Sequence, residues 1–351
     1  MHIGIVAPPF IPVPPAAYGG TELFIADLAA ELHARGHHVI VYANGASRLP
    51  CELKWRYPAA DWPIRDPLAA QLKNADHSAW AVHEAAGEVD VLHLNDVVSV
   101  PFTRFVDVPA VLTVHHPHEP VLSEVYARYP SLEYVAISAA QARREPMPKL
   151  RVVHHGVSID QYAFGERKDR YLAFLGRMAP CKGAHAAIAV AKRAGLPLKL
   201  AGEIQPIFAD YWAREIEPHI DGRTIEYLGE ADRTLKNELL SHAQALLFPI
   251  EWDEPFGLVM IEAMACGTPV LAFPRGSVPE IVRDGVSGWL CRSPEEMAAR
   301  AADPGIAPCS CRAWAVERFS RGRMAEEYLA LYAHVLATAT VPGAELEDVS
   351  L

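Results

Sequence analysis

The chain contains no Asp-x-Asp pair that could seat a divalent cation beside a diphosphate, and no Gly-x-Gly-x-x-Gly dinucleotide fingerprint. Long apolar runs are missing too. No stretch approaches the ~18 uninterrupted apolar residues of a membrane span, so no transmembrane segment is expected. The first residues, His2-Ile3-Gly4-Ile5-Val6-Ala7, read directly as a strand, with no basic leader and apolar core ahead of them. A secretory signal is therefore not expected, and the chain is read as cytoplasmic. Basic charge is in short supply: 32 Lys and Arg against 43 Asp and Glu leave a formal charge of −11. That balance argues against a nucleic-acid partner and against peripheral docking on anionic lipid. Six cysteines are scattered, and only Cys309 and Cys311 stand close together. Their spacing matches no zinc site, so no metal ligand is assigned.

What is present describes a soluble globular protein. Hydrophobic residues make up 51% and charged residues 21% of 351, enough chain for two domains. After the first strand comes the stiff, proline-rich stretch PPFIPVPPAAYGGTE, read as a loop at a cleft rim whose Phe10 and Tyr18 either face a ligand or staple the loop down. Gly19-Gly20 opens a helix over roughly 21–35 with Leu23, Ala26, Leu28 and Leu32 on its apolar side, and a strand follows at 38–43. Residues 44–66 read as irregular. A helix is expected at 68–86, strands at 89–94, 110–114, 134–137 and 151–154, and short helices at 98–105 and from Ala139. His115 is the first residue past the 110–114 strand, where open parallel sheets hold ligands, and it is preferred over His116. Asp160–Arg170 is polar and reads as an interdomain linker.

The second half opens on a strand at 171–175, then Gly176-Arg177-Met178-Ala179-Pro180-Cys181-Lys182-Gly183. Two cations on one glycine-bounded loop can grip a dianion, arginine bidentately and lysine as a point charge. Beyond it come a helix at 183–194, a strand at 198–202, a helix at 207–217, a strand at 224–228 and a helix at 232–243. The organising stretch is Phe248–Leu271, FPIEWDEPFGLVMIEAMACGTPVL. It reads as the end of a strand, a sharp turn at Pro255 and Gly257, a helix stopped by Gly267, and the next strand. Glu254 lies on the turn and Glu262 eight residues on, inside the helix. The backbone N–H groups of Phe256, Gly257 and Leu258 open that helix, where an anion is favoured. A bare pair of glutamates at this spacing is common by chance. Further on, 287–290 reads as a last strand, with helices at 293–302 and 311–336.

The pair is not bare here. EPFGLVMIEAMACGTPVLAFPRGSVPEIVRDGVSGWL resembles the donor-site signature of family 4 glycosyltransferases, retaining enzymes with the GT-B fold. The Arg177-to-Gly183 loop resembles the family's G-R-x-x-x-x-K-G loop, with Cys181 where an acid usually precedes the lysine. The partner of Lys182 must then come from elsewhere. His155-Gly156 stands where the family usually has Asn-Gly. The likeness runs over nearly the whole chain, strongest at 171–291 and weaker at 1–40 and 110–157.

The resemblance implies an α/β architecture of two Rossmann-like domains facing a central cleft, with a C-terminal helix packing back on the first. The expected limits are 1–160 for an acceptor-side domain and 171–315 for a nucleotide-sugar-binding domain. The returning helix is expected at 316–338 and a loose tail at 339–351. The implied activity is retaining transfer of a sugar from a nucleoside-diphosphate sugar, UDP-linked by preference, to a small soluble or saccharide acceptor. Arg177 and Lys182 would stabilise the departing diphosphate, Glu254 would bind sugar hydroxyls, and Glu262 would bind the ribose. His115 would position the sugar. Gly19 and Gly20, with Phe256, Gly257 and Leu258, would meet the phosphates through backbone N–H groups. Leu228 would line the base pocket. No cofactor or metal is required in this picture. The rival readings are a GT-B phosphorylase using inorganic phosphate, and a sugar-nucleotide-binding module without turnover.

Overall fold

The computed structural model describes residues 1–17 and 19–339. Tyr18 and the tail from 340 lie outside the described residues, and with them the expectations placed on Tyr18 and on a loose tail.

Two parallel sheets carry the fold. The first holds β1 (His2–Val6), β2 (His38–Ala43), β3 (Glu52–Trp55), β4 (Val91–Leu94), β5 (Ala110–Val114), β6 (Glu133–Ala136) and β7 (Leu150–Val152). The second holds β8 (Leu172–Leu175), β9 (Leu198–Ala201), β10 (Ile225–Tyr227), β11 (Ala245–Phe248), β12 (Val270–Ala272) and β13 (Gly288–Leu290). Their strand orders are β3-β2-β1-β4-β5-β6-β7 and β10-β9-β8-β11-β12-β13. Strands such as Val39–Ala43 and Ala245–Phe248 are apolar on both faces because helices cover both faces of a parallel sheet. Each sheet begins at its centre, runs outward, then restarts on the other side. That reversal leaves a crevice beyond the carboxyl ends of β1 and β4 in one sheet, and of β8 and β11 in the other. The two-unit α/β architecture expected from the sequence is present.

Some local expectations change. Residues 44–66 are not wholly irregular: Ile40–Ala43 of β2 pairs in parallel with Glu52–Trp55. This edge strand is half exposed, and its Glu-Leu-Lys-Trp sequence lacks the apolar run of an inner strand. A helix at Pro120–Ala127 was not anticipated. The expected helix at 207–217 is a succession of short turns between Pro206 and His219.

The expected helix at 311–336 is two helices, Pro308–Phe319 and Arg321–Ala339, broken at Ser320. No glycine or proline marks the break. It is held from outside: Val157 N–H donates to the Phe319 carbonyl, and Arg321 N–H donates to the Val157 carbonyl, each at 2.9 Å. Gly156 is required beside them, because a Cβ there would overlap the Ser320 carbonyl. Here the chain leaves the first unit and later returns to it. Phe319 sits in the second unit's core, whereas Met324, Tyr328, Leu331 and Tyr332 sit in the first unit's core. Polar bonds fix the returning helix. His93 bonds the Tyr332 hydroxyl at 2.6 Å and Thr113 Oγ1 at 2.7 Å, and Thr113 Oγ1 bonds the Tyr328 hydroxyl at 2.8 Å.

Asp160–Arg170 is not a free tether. Tyr162 is buried in the second unit's core, Gly165 N–H donates to the Cys266 carbonyl, and Lys168 Nζ donates to the Ser241 and Cys266 carbonyls. Among the described residues no helix is long and apolar enough to cross a membrane.

Candidate functional site

The two crevices face each other across one cavity of about 390 Å³. The first unit supplies Gly19, Gly20, Asp27, His115 and His155; the second supplies Arg177, Lys182, Glu254, Phe256–Leu258 and Glu262. Gly20 directly confronts the opposite wall, since a Cβ on it would meet Leu258 Cδ1 at 3.5 Å.

Glu254 and Lys182 are brought together by two loops that lock onto each other. Glu251 N–H donates to the Cys181 carbonyl at 2.9 Å. Gly183, at φ +76°, lies so close to Pro249 that a Cβ would overlap the Pro249 carbonyl oxygen. Glu254 Oε2 then accepts from Lys182 Nζ at 2.5 Å and from Trp252 Nε1 at 2.8 Å. The partner that Cys181 cannot provide is therefore Glu254. The ammonium also sits 4.7 Å from the Trp252 ring centroid. Lysine has three donors, so two remain for a ligand.

Glu262 is also held. Its Oε1 accepts from Lys236 Nζ at 2.7 Å and from the Tyr162 hydroxyl at 3.0 Å, which leaves Oε2 for the cavity. Burial, then the nearby carboxylates, push the Tyr162 hydroxyl well above its ordinary pKa, so it stays a donor. Gly257, at φ +83°, turns the chain into the Leu258–Ala265 helix. The N–H groups of Phe256, Gly257 and Leu258 have no acceptor among the described residues. They are open to an anion. Arg177 Nη1 lies 3.4 Å from Gln205 Oε1.

His115 lines the cavity and His116 does not; His116 bonds the Pro117 carbonyl and the Tyr126 hydroxyl. The tautomer of His115 follows from its neighbour. Asn95 Nδ2 donates to the Val6 carbonyl at 3.1 Å, so Asn95 Oδ1 must be the atom 2.9 Å from His115 Nε2. An amide oxygen only accepts, so Nε2 carries the proton and Nδ1 keeps its lone pair. Burial, then the neighbouring His155, His93 and His116, hold the pKa of His115 well below 6.5, so the ring is neutral near pH 7.

One assigned residue falls elsewhere. Leu228 is not in the cavity wall; its side chain packs against the second unit's core, and Glu230 and Ala231 form the wall there. Phe10 does not line the cavity either. Its ring lies 5.8 Å from Lys73 Nζ.

Several site residues went unassigned from sequence: Asp27 and His155 in the cavity wall, and Asn95 behind His115. Asn95 sits just past β4, and the strand-end rule that singled out His115 applies to it equally. Asp27 is an acid on the buried face of a helix, between Ile25 and Leu28, a mismatch visible in the pattern. Burial raises its pKa to about 7 despite the nearby Arg321. His155 is buried between Phe24, His115 and Phe256, and its Nδ1 has no partner. Burial lowers its pKa to about 3. Among the described residues no group of three or more His, Cys, Asp or Glu side chains is arranged to hold a metal ion.

Comparison with known proteins adds the following. Residues 18–195 match the family model described as Glycosyltransferase Family 4, and residues 160–303 match that of Glycosyl transferases group 1. A glycogen synthase of Mycobacterium tuberculosis is 25% identical over 366 residues, covering 86% of this chain and 86% of that protein. Sucrose-phosphate synthase of Thermosynechococcus elongatus superposes with a TM-score of 0.80 at 20% identity, over 96% of this chain and 99% of the other. HepE of Anabaena, solved in complex with UDP and glucose, superposes with a TM-score of 0.74 at 21% identity, over 94% and 99%. These two structural likenesses establish the shared GT-B fold.

Proposed function

The chain belongs to glycosyltransferase family 4, and from that premise we propose that it is a retaining enzyme using a nucleoside-diphosphate sugar, with UDP as the preferred carrier. One observation carries the reading. The Lys182–Glu254 pair, Arg177, the open helix end at Phe256–Leu258 and Glu262 all border a single cavity between the two sheets. Cations and free N–H groups suit a diphosphate, and carboxylates suit the hydroxyls on either side of it. The UDP complex of HepE makes uracil the base to test first.

In this reading Arg177 and Lys182 stabilise charge as it grows on the leaving diphosphate. Gly19, Gly20 and the Phe256–Leu258 backbone hold its oxygens. Glu254 accepts from sugar hydroxyls, and Glu262 accepts from the ribose through the oxygen that Lys236 and Tyr162 leave free. The lone pair on His115 Nδ1 accepts from a further sugar hydroxyl and fixes the ring. The anomeric C–O bond to phosphate breaks as the acceptor oxygen bonds to the same face, and the departing phosphate oxygen takes the acceptor proton. The cations and helix end do the work a divalent metal does elsewhere. The enzyme works in the cytoplasm on a small soluble acceptor.

A thermal-shift titration with UDP, GDP, ADP and their sugar conjugates tests the donor site, because a ligand bound only to the folded state raises Tm. A shift with one nucleotide that is lost in Lys182→Ala supports the assignment. No shift with any of them sinks it. The anomeric proton coupling of the product then decides retention.

A further inference from the structure

One short segment joins the two units behind the loop that carries Glu254. It runs from Gly276 to Glu280, after β12, and enters the short helix Val278–Ile281. Its far end reaches the first unit. Glu280 Oε2 accepts from the Ala139 N–H at 2.7 Å, and Oε1 accepts from the Ala140 N–H at 2.6 Å. Those N–H groups open the first unit's Ala139–Ala142 helix, where backbone donors have no partner within the helix. Another such donor, the Gln141 N–H, is taken by Ser138 Oγ at 3.1 Å. His154 Nε2, also of the first unit, lies 3.1 Å from Glu280 Oε2. Burial alone would raise the pKa of Glu280, but the bonds from His154 and the two N–H groups outweigh it and hold the carboxyl below 4.5. Three donors on one ionised carboxylate make a firm contact. Arg144 and Asp253 also join the units, but both side chains are more than half exposed, so that pair contributes little.

The near end of the segment holds the donor loop. Ser277 is fully buried. Its N–H donates to the Glu254 carbonyl at 2.9 Å, and its Oγ donates to the Phe256 carbonyl at 2.8 Å. Gly276, at φ +57°, lies so close that a Cβ would overlap the Glu254 backbone. Ser277 and Glu280 are one turn apart, and the Glu280 N–H donates to the Ser277 carbonyl at 2.8 Å. The segment is therefore a short strut. One end grips the first unit. The other grips the carbonyls on either side of Pro255, which set where Glu254 and the Phe256–Leu258 N–H groups point.

We propose that Glu280 is a positioning residue for the diphosphate: it docks the first unit on the strut, and the strut sets the Glu254–Leu258 loop. The inference rests on the donor reading above. Glu280 and Ser277 do not line the cavity, so both act through the loop. Among the described residues the strut makes no hydrogen bond to Glu230, Ala231 or Glu262, at the base and ribose ends of the cavity. Loss of Glu280 should therefore weaken the hold on the diphosphate and spare the nucleoside.

The test compares UDP, titrated by calorimetry, with uridine, titrated by ligand-detected NMR. The proteins are the wild type, Glu280→Ala, Glu280→Gln, Ser277→Ala and Glu280→Ala/Ser277→Ala. Each single variant is expected to bind UDP about tenfold more weakly and uridine as the wild type does. The double variant cuts the same strut at both ends, so its loss should equal the larger single loss rather than their product. Melting curves check that each variant is folded. Glu280→Gln keeps the bulk of the side chain but turns an amide nitrogen toward an N–H donor, so it decides the question where Glu280→Ala does not fold. Three results overturn the proposal: UDP affinity unchanged in the Glu280 variants, uridine weakened as much as UDP, or losses that multiply in the double variant. The second would mark a general structural role, and the third two independent contacts. Failure of the wild type to bind UDP overturns the donor reading instead, and the same titrations reveal it.

Discussion

Lys182 Nζ stands 2.5 Å from Glu254 Oε2, and the pair ties together loops 72 residues apart in sequence. The two side chains are only 15% and 6% exposed, so each charge depends on the other. Removing one partner of a buried pair costs about 3–5 kcal/mol, while replacing both with neutral groups of similar size is far cheaper. Lys182→Ala should therefore lower Tm and erase the nucleotide shift. Lys182→Met/Glu254→Gln should recover most of the Tm and none of the transfer. Melting curves for single and double variants check this. Equal losses in both would mean that the pair is not coupled.

Asn95 should act on catalysis only through His115. Asn95→Leu removes the oxygen that fixes the Nε2–H tautomer and leaves every donor-site cation in place. A misplaced ring should slow transfer about 10–100-fold, with UDP affinity unchanged. The readout peculiar to this role is nitrogen-detected NMR of His115, which should show the proton on Nε2 in the wild type and a tautomer mixture in the variant. An unchanged tautomer would remove Asn95 from the mechanism.

The sequence announces groups that sit where the backbone is forced. Gly257 and Gly183 need positive φ, and prolines and strand ends frame Glu254, Arg177 and His115, so local chemistry marked the positions and the family resemblance gave them their roles. It says little about what those groups meet. The partner of Lys182 lies 72 residues away, and Tyr162 and Lys236 reach Glu262 from a supposed linker and from a helix. The helix breaks at Ser320 where Val157 bonds the residues on either side and Gly156 lets the two chains approach. Leu228 was assigned to the base pocket by the family resemblance, yet its side chain packs against the second core. Period and punctuation are local. Ion pairs and helix breaks imposed by tertiary contacts are not.

Donor turnover should be indifferent to EDTA. Arg177, Lys182 and the Phe256–Leu258 N–H groups border the same cavity, and preorganised donors of this kind stabilise a leaving diphosphate directly. Rates of UDP release from a UDP-sugar with and without chelator are expected to agree within about twofold, a barrier difference of well under 1 kcal/mol. A loss restored by added magnesium would contradict the metal-independent mechanism.

Stability should fall with acid in two stages. Burial holds His93 and His155 at about 3, and His115 well below the unfolded value of 6.5. Below pH 6.5 the unfolded chain takes up protons that the folded chain refuses. Each such group then removes about 1.4 kcal/mol per pH unit. Glu22 and Asp27 work the other way. Burial raises both to about 7, so between that value and their unfolded values of 4.5 and 3.8 the folded state holds the extra proton, and acid favours folding. Burial also lowers His77 and His37 and raises Glu203, so the histidines outnumber the opposing carboxyls and stability declines from pH 6.5 to about 4.5. Below about 4 the carboxyls are protonated in both states and the histidines act unopposed, so the decline steepens until their folded values are passed. Tm measured from pH 7 to pH 3 should show this bend. Asp27→Asn removes one opposing group and should steepen the upper stage alone. A variant profile parallel to the wild type there would mean that Asp27 is already ionised in the folded protein at pH 5.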